Sequence, residues 1–277
     1  MNGSMINAMV SMYGLQQKLD LLADNIANVN TAGYKRKEAS FEDLLTNMKQ
    51  QQEAFEQPVR LTKLGFNQGW GSRVVMVQPD LSQGPVKKTE SIYDVAIEGN
   101  ALFEVQTDEA GNRAYTRSGA FQLAFDRNGT AFLANADGYP VIARFADGTE
   151  GRIEIPEGFD MRVGPEGQVS GVSRDGFEVR DLGRLKLVQP LKPGVLSPTA
   201  DNLFVVAEGL NADEVVRIVT PGPEGDIKLM QGYLEQSNVT LSEEMSELMI
   251  VQRAYQMSAR ALSSSDTMMG LANNLRA

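Results

Sequence analysis

The stretch "MINAMVSMYGLQQKLDLLADNIANV", Met5 to Val29, decides how this chain is organised. Met5, Met12, Leu19 and Ile26 recur at a seven-residue step, and Ala8, Leu15, Leu22 and Val29 form a second column three residues on. These are a and d positions sustained over about four heptads, the pattern of a helix that packs along a coiled-coil seam. The segment from Asp24 to Lys37 is suited to ending that helix. Asn25, Asn28 and Asn30 crowd together ahead of "TAGYKRK", and asparagine prefers caps and turns to helix interiors. On the heptad they fall at about g, c and e, where their amides can reach sideways to neighbouring groups. Gly33 suits the left-handed residue that closes a helix, so it is the expected helix stop. Tyr34 would then pack over the last turn, and Lys35-Arg36-Lys37 would form a short solvated basic run at the negative end of the helix dipole.

The far end repeats the device. Leu241, Leu248, Tyr255, Leu262 and Met269 also step by seven, flanked by Met245, Val251, Ala259, Ala261 and Met268. A helix from Leu241 to Leu275 would be roughly 50 Å long. Between the ends, "RVVMVQP", "YDVAIEG", "ALFEVQT", "AFQLAFD", "GRLKLVQP", "LFVVAE" and "EVVRIV" have the length and composition of strands. Turn signals separate them: Asp126-Arg127-Asn128-Gly129, Asp137-Gly138, Asp147-Gly148, Pro165-Glu166-Gly167 and Pro223-Glu224-Gly225. The expected fold class is therefore a mainly β central module with long α-helices at both termini pairing as a coiled coil, a discontinuous α plus all-β architecture. Residues 1–34 and 236–277 form the helical assembly core, 35–73 and 220–235 connect, and 74–219 make the all-β outer domain. The Gln-rich residues 46–71 have no clear period and read as a linker, a long hairpin or a contact loop.

Composition narrows function by exclusion. The 277 residues include no Cys and no His, which removes Cys/His zinc sites, thiol nucleophiles and histidine-based triads. A net charge of −10 gives no global pull toward nucleic acid or anionic lipid. No apolar run reaches the ~18 residues that read as a membrane helix, and polar residues such as Asn7, Ser11 and Gln16 interrupt the N-terminal apolar run, unlike a secretory signal. The chain is expected to be cytoplasmic or to leave the cell without a cleaved signal. Carboxylates are plentiful, but no pair stands out by context, so an enzyme ranks low. "GWGSRV" lacks the third glycine of a dinucleotide loop, "FDRNGT" lacks a calcium ladder, and the "NVT" at Asn238 fits only a short glycosylation sequon. No catalytic, cofactor or metal site is expected.

The residues themselves resemble a known family, the axial proteins of the bacterial flagellum, in the basal-body rod and hook group. "LADNIANVNTAGYKRKEASFEDLL" (Leu22 to Leu45) looks like that group's N-terminal signature. "YDVAIEGNALFEV" and "AYTRSGAFQL" look like its β-domain signatures, and "GYLEQSNVTLSEEMSELMIVQRAYQMSARALSSSD" (Gly232 to Asp266) like its C-terminal one. "FEDLL" followed by a longer stretch before Ser82-Gln83-Gly84 is most similar to the distal-rod branch. A proximal-rod or hook paralogue is the alternative within the group, and an adhesin-like β domain on a coiled-coil stalk is the alternative outside it.

The resemblance implies a subunit of a helical tube in the basal body, outside the cytoplasmic membrane. It implies export through the flagellar type III apparatus without a cleaved signal, and partnership with copies of itself and with other rod and hook subunits. No nucleic-acid partner and no direct membrane insertion are expected. The expected assembly interface is Met5, Met12, Leu15, Leu19, Leu22, Asn25, Ile26, Asn28, Asn30, Leu241, Met245, Leu248, Val251, Tyr255, Leu262 and Met269. The methionines suit contacts that differ from neighbour to neighbour, because the unbranched side chain fits irregular gaps. An isolated helix of this length is marginal in water, so both ends are expected to order on assembly.

Overall fold

The computed structural model describes residues 2–43, 47–50, 65–68, 72–107, 112–126, 129–175, 178–199, 202–207, 209–222 and 225–274. They group into two compact units, one of residues 1–26, 38–77 and 241–277, the other of 27–37 and 78–240.

The first unit is helical at heart. Helix α1 (Asn2–Ala27) and helix α2 (Leu241–Asn274) are the two long helices among the described residues. Glu243 and Glu244 sit in the first turn of α2, where carboxylates favour the positive end of the helix dipole. The two helices pair antiparallel: Lys18 forms an ion pair with Glu247, and Asn25 reaches Glu244 further along α1 and nearer the start of α2. Strand Lys37–Asp43 pairs with Ser72–Pro79. Asn47–Gln50 pairs antiparallel with Gly65–Gln68, so the edges of the Gln-rich segment form a ribbon. Residues 51–64 and 69–71, which include the start of "GWGSRV", lie outside the described residues.

The second unit is mainly sheet, as the strand pattern predicts, with only a short helix at Ala212–Val215 and a helical turn at Pro193–Val195 among its described residues. A six-stranded sheet runs in the order Leu196–Pro198, Leu203–Val206, Arg113–Thr116, Leu102–Gln106, Leu187–Pro190, Val216–Val219. A five-stranded sheet has the order Glu150–Arg152, Ile142–Arg144, Val179–Leu185, Gln168–Ser173, Phe159–Val163. Glu154–Ile155, Ala131–Ala134 and Gln122–Phe125 make a third sheet. Gly138, Gly148 and Gly167 take φ of 89°, 85° and 81° in the turns expected of them. Positive φ costs glycine no side-chain clash, and it reverses a strand within two or three residues. Arg127, Asn128, Pro223 and Glu224, named in two further expected turns, lie outside the described residues.

One strand shows why the core is two-sided. In Leu102–Gln106, Phe103 and Val105 point into the main cluster with Val95, Ile97, Leu133, Val141, Ile153 and Leu187. Leu102 points the other way, into a smaller cluster with Tyr115, Val188, Phe204 and Val216. Phe103 meets Phe121 edge-on at 5.0 Å and 77°, a favoured aromatic arrangement. Residues 220–235, expected only to connect, carry two strands of this unit. Lys228–Gln231 pairs with Val95–Glu98, and Tyr233–Glu235 pairs with Val86–Lys88.

Glu104 alternates onto the Leu102 face and is buried there, bridged at 2.7 Å to Arg113 and at 3.0 Å to Lys186. Both cations also hold Glu150, at 2.8 Å each. Burial acts to raise the Glu150 pKa, but the hydrogen bond and charge of Lys186, then Arg113, outweigh it and hold the carboxyl below its ordinary 4.5. A carboxyl depressed in the folded state adds stability that is present above its unfolded pKa and is lost as pH falls through its folded one. Chemical denaturation of Glu150→Gln should therefore show a shallower loss of stability below pH 4.5 than the parent protein. Equal slopes would show that the carboxyl is not held by the two cations.

Candidate assembly surface

The helices carry two apolar rows, not one. On α2 the shielded line is Glu244, Leu248, Val251, Tyr255, Leu262, Ser265 and Met269, with Glu244 1% exposed and Val251 4%. At about 100° per residue, a second row falls on the opposite face. It comprises Met245, Met249, Ile250, Met257, Met268 and Leu271, all open to solvent, with Ile250 66% and Met257 64% exposed. Helix α1 shows the same split. Gly14, Leu22 and Asn25 are buried, while Ile6, Met9 and Tyr13 face outward.

The residues expected to form one interface therefore divide. Leu22, Asn25 and Val251 are buried, and Met5, Met12, Leu15, Leu19, Ile26, Asn28, Leu248, Tyr255, Leu262 and Met269 are half-buried. Leu241, Met245 and Asn30 are exposed. The seam on α1 is rotated from the heptad reading, which put Asn25 off the apolar line. Asn25 is fully buried, and its Nδ2 donates to Glu244 Oε2 at 3.2 Å. A single polar pair in an apolar seam fixes register, because sliding the helices would strand a buried carboxylate.

The end of α1 also differs from expectation. The helix closes at Ala27, and Thr31 donates its hydroxyl to Asn28 Oδ1 at 3.1 Å in the turn beyond. Gly33 lies in a later turn with φ 71°, so it does not stop the helix. Its role is close approach. A Cβ there would overlap the backbone of Ser118, and its amide donates to the Glu235 carbonyl at 2.8 Å.

Gly33 leads into a buried ionic clasp that the sequence pattern does not reveal. Lys35, expected in a solvated basic run, is 3% exposed. Its Nζ donates to Glu235 Oε1 and to the Ser82 carbonyl, each at 2.7 Å. Glu235 Oε1 also accepts the Gly84 amide at 2.9 Å, and Oε2 accepts Arg117 Nε at 2.6 Å. The rest of the Arg117 guanidinium donates to the carbonyls of Ala101 and Ile97. Beside it, Asn238 Oδ1 accepts the Arg36 amide at 2.7 Å, and its Nδ2 donates to the Asp80 carbonyl at 3.0 Å. The residue inside the glycosylation-like "NVT" is thus a structural tie. Burial pushes the Lys35 ammonium below its usual pKa; Glu235 opposes that and Arg117 adds to it.

These contacts bind the segment leaving α1 to the one approaching α2, along with the loops at 80–84, 97–101 and 117–119. A Cβ at Gly84 would meet the Gln236 carbonyl, and one at Gly119 the Val95 carbonyl. Each oxygen of the Glu235 carboxylate is engaged by cationic or amide donors, so the group is a fastener rather than a reagent. The sequence offers one weak signal: Arg117 in "YTRSGAF" and Glu235 in "GYLEQSN" are the lone charges of their stretches.

Comparison with known proteins matches three stretches of the chain to family models. Residues 7–35 match the flagella basal body rod protein model, 96–171 the flagellar hook protein FlgE/F/G D1 domain, and 230–275 the flagellar basal body rod FlgEFG protein C-terminal model. The clasp's Lys35 and Glu235 fall within the first and third, and Arg117 within the second. Among curated proteins, the chain is 34% identical to the flagellar basal-body rod protein FlgG of Borreliella burgdorferi, over 96% of this chain and 95% of that one. It is 35% identical to FlgG of Buchnera aphidicola subsp. Schizaphis graminum, over 94% and 95%, and 31% identical to FlgG of Bacillus subtilis, over 99% and 98%.

Proposed function

The chain belongs to the family of flagellar basal-body rod proteins, and from that premise we propose that it is a structural subunit of the rod, built into the shaft that carries torque from motor to hook. The role is mechanical, and its partners are other flagellar rod and hook subunits. Copies of the chain also join one another into an open helical polymer, with the terminal helices as the contact. Subunits reach the site through the flagellar type III export apparatus.

The observation that carries the polymer reading is the second apolar row on α2, Met245 to Leu271, which the chain's own helix pair leaves uncovered. A heterologous contact that does not close generates a helical filament. A row of methionines fits neighbours that present slightly different surfaces. Because an uncovered row adds nothing to a lone chain, the helices become fully ordered only in the polymer. Amide exchange at residues 15–26 should be fast in the monomer and slow in the filament; slow exchange in a demonstrated monomer would contradict this.

Imaging the purified protein at high concentration tests the reading itself. Open helical polymers are expected. A closed trimer of fixed size would favour a stalked adhesin instead.

A further inference from the structure

Five arginines of the sheet unit are matched to carboxylates: Arg113, Arg117, Arg152, Arg174 and Arg180 each pair with Asp or Glu. Arg144 and Arg184 differ in that they face each other. They are directly opposite on neighbouring antiparallel strands, Ile142–Arg144 and Val179–Leu185. Directly opposed residues share one face with their Cβ atoms roughly 5 Å apart, and like charges there repel. Both are exposed, and among the described residues neither forms an ion pair.

The local backbone creates this arrangement. A bulge sets Val169 against Gly183 and Ser170 against Asp181, leaving Leu182 as the extra residue. Bulges re-aim the side chains that follow them. Gly183 takes φ 105°, and a Cβ there would crowd the Phe145 ring at 3.0 Å. The two arginines consequently line one cleft of about 280 Å³ with Phe145, Gln168, Asp181 and Thr220. Asp181 lines the cleft without an ion pair to either arginine, its Oδ1 accepting the Gly183 amide at 3.1 Å, and Glu150, opposite Arg144 on the other neighbouring strand, is engaged by Arg113 and Lys186.

We infer that the Arg144–Arg184 cleft is an intersubunit socket that receives a carboxylate from a second copy of this chain. Charge complementarity selects that occupant. The protein carries 36 acidic against 26 basic residues, so a neighbouring copy presents an acidic surface. Two guanidiniums side by side offer a fork of donors that matches a carboxylate, and its arrival would relieve their mutual repulsion. The socket rests on the polymer reading and adds to it a contact made by the sheet unit, separate from the helices.

The test compares the full-length parent with Arg144→Ser/Arg184→Ser by sedimentation, measuring the concentration at which polymer first forms across a salt series. The double variant should melt no lower than the parent, since removing opposed charges costs the fold nothing. It should need about tenfold more protein to polymerise, and show a weaker dependence on salt. Arg144→Lys/Arg184→Lys should fall between the two. If the parent polymerises and the serine variant matches its threshold and salt slope, the socket is wrong while the polymer reading stands. If the parent forms no polymer at any concentration, both are wrong.

Discussion

Glu235→Ala is expected to destabilise the sheet unit by about 3–5 kcal/mol, the cost of leaving buried charge without its partner. The carboxylate faces Lys35 and Arg117, whose side chains are 1% and 2% exposed, so neither cation can turn to water. The Gly84 amide and the Lys35 ammonium lose Glu235 Oε1 together, which leaves Lys35 the Ser82 carbonyl but no counter-charge. For a unit of this size the loss corresponds to a fall of roughly 10 °C in melting temperature. Replacing all three by apolar groups should cost much less, because a buried ionic group removed whole leaves no orphan. Calorimetry of Glu235→Ala beside Lys35→Met/Arg117→Met/Glu235→Met separates the cases. A single variant that melts like the parent would show that the clasp fastens nothing.

The second large effect is in the helices. Leu22→Asp places a carboxylate at a site 2% exposed, within a turn of the Asn25–Glu244 pair, where another negative charge already lies. Burying it costs several kcal/mol, and Glu244 adds repulsion. Every copy in a filament would bear that cost. The polymerisation threshold should rise by more than about a hundredfold, the equivalent of some 3 kcal/mol per subunit. The sheet unit's own melting transition should not move. Val251→Asp, across the same seam, should behave alike. Normal filaments from either variant would show that the helix pairing is not needed for assembly.

Much of this architecture was legible in the sequence, and the parts that were not share a physical cause. Strand alternation and glycine-bearing turns are local signals, so Gly138, Gly148 and Gly167 landed in the turns expected of them. The long helices were legible from their period. Their facing was not, because methionine, leucine and alanine occur on both sides. Met245 belongs to the same sequence pattern as Val251, yet one is exposed and the other buried. A helix with two apolar rows satisfies more than one heptad register. The heptad reading sets Asn25 off the seam for that reason, and because its partner Glu244 lies 219 residues away. The clasp was invisible for the same kind of reason. Lys35 looks like one of three solvated basic residues until Glu235, 200 residues on, is beside it.

The polymer contact is assigned to the outward row of α2, with the inward row reserved for the helix pair. Sedimentation of the full-length protein carrying Met245→Asp, Met249→Asp and Met257→Asp tests that division most directly, since all three side chains are at least half exposed and the seam is untouched. The expected result is a soluble monomer at concentrations where the parent pellets as polymer, with the sheet unit melting as before. A triple variant that polymerises at the parent's threshold would contradict the assignment.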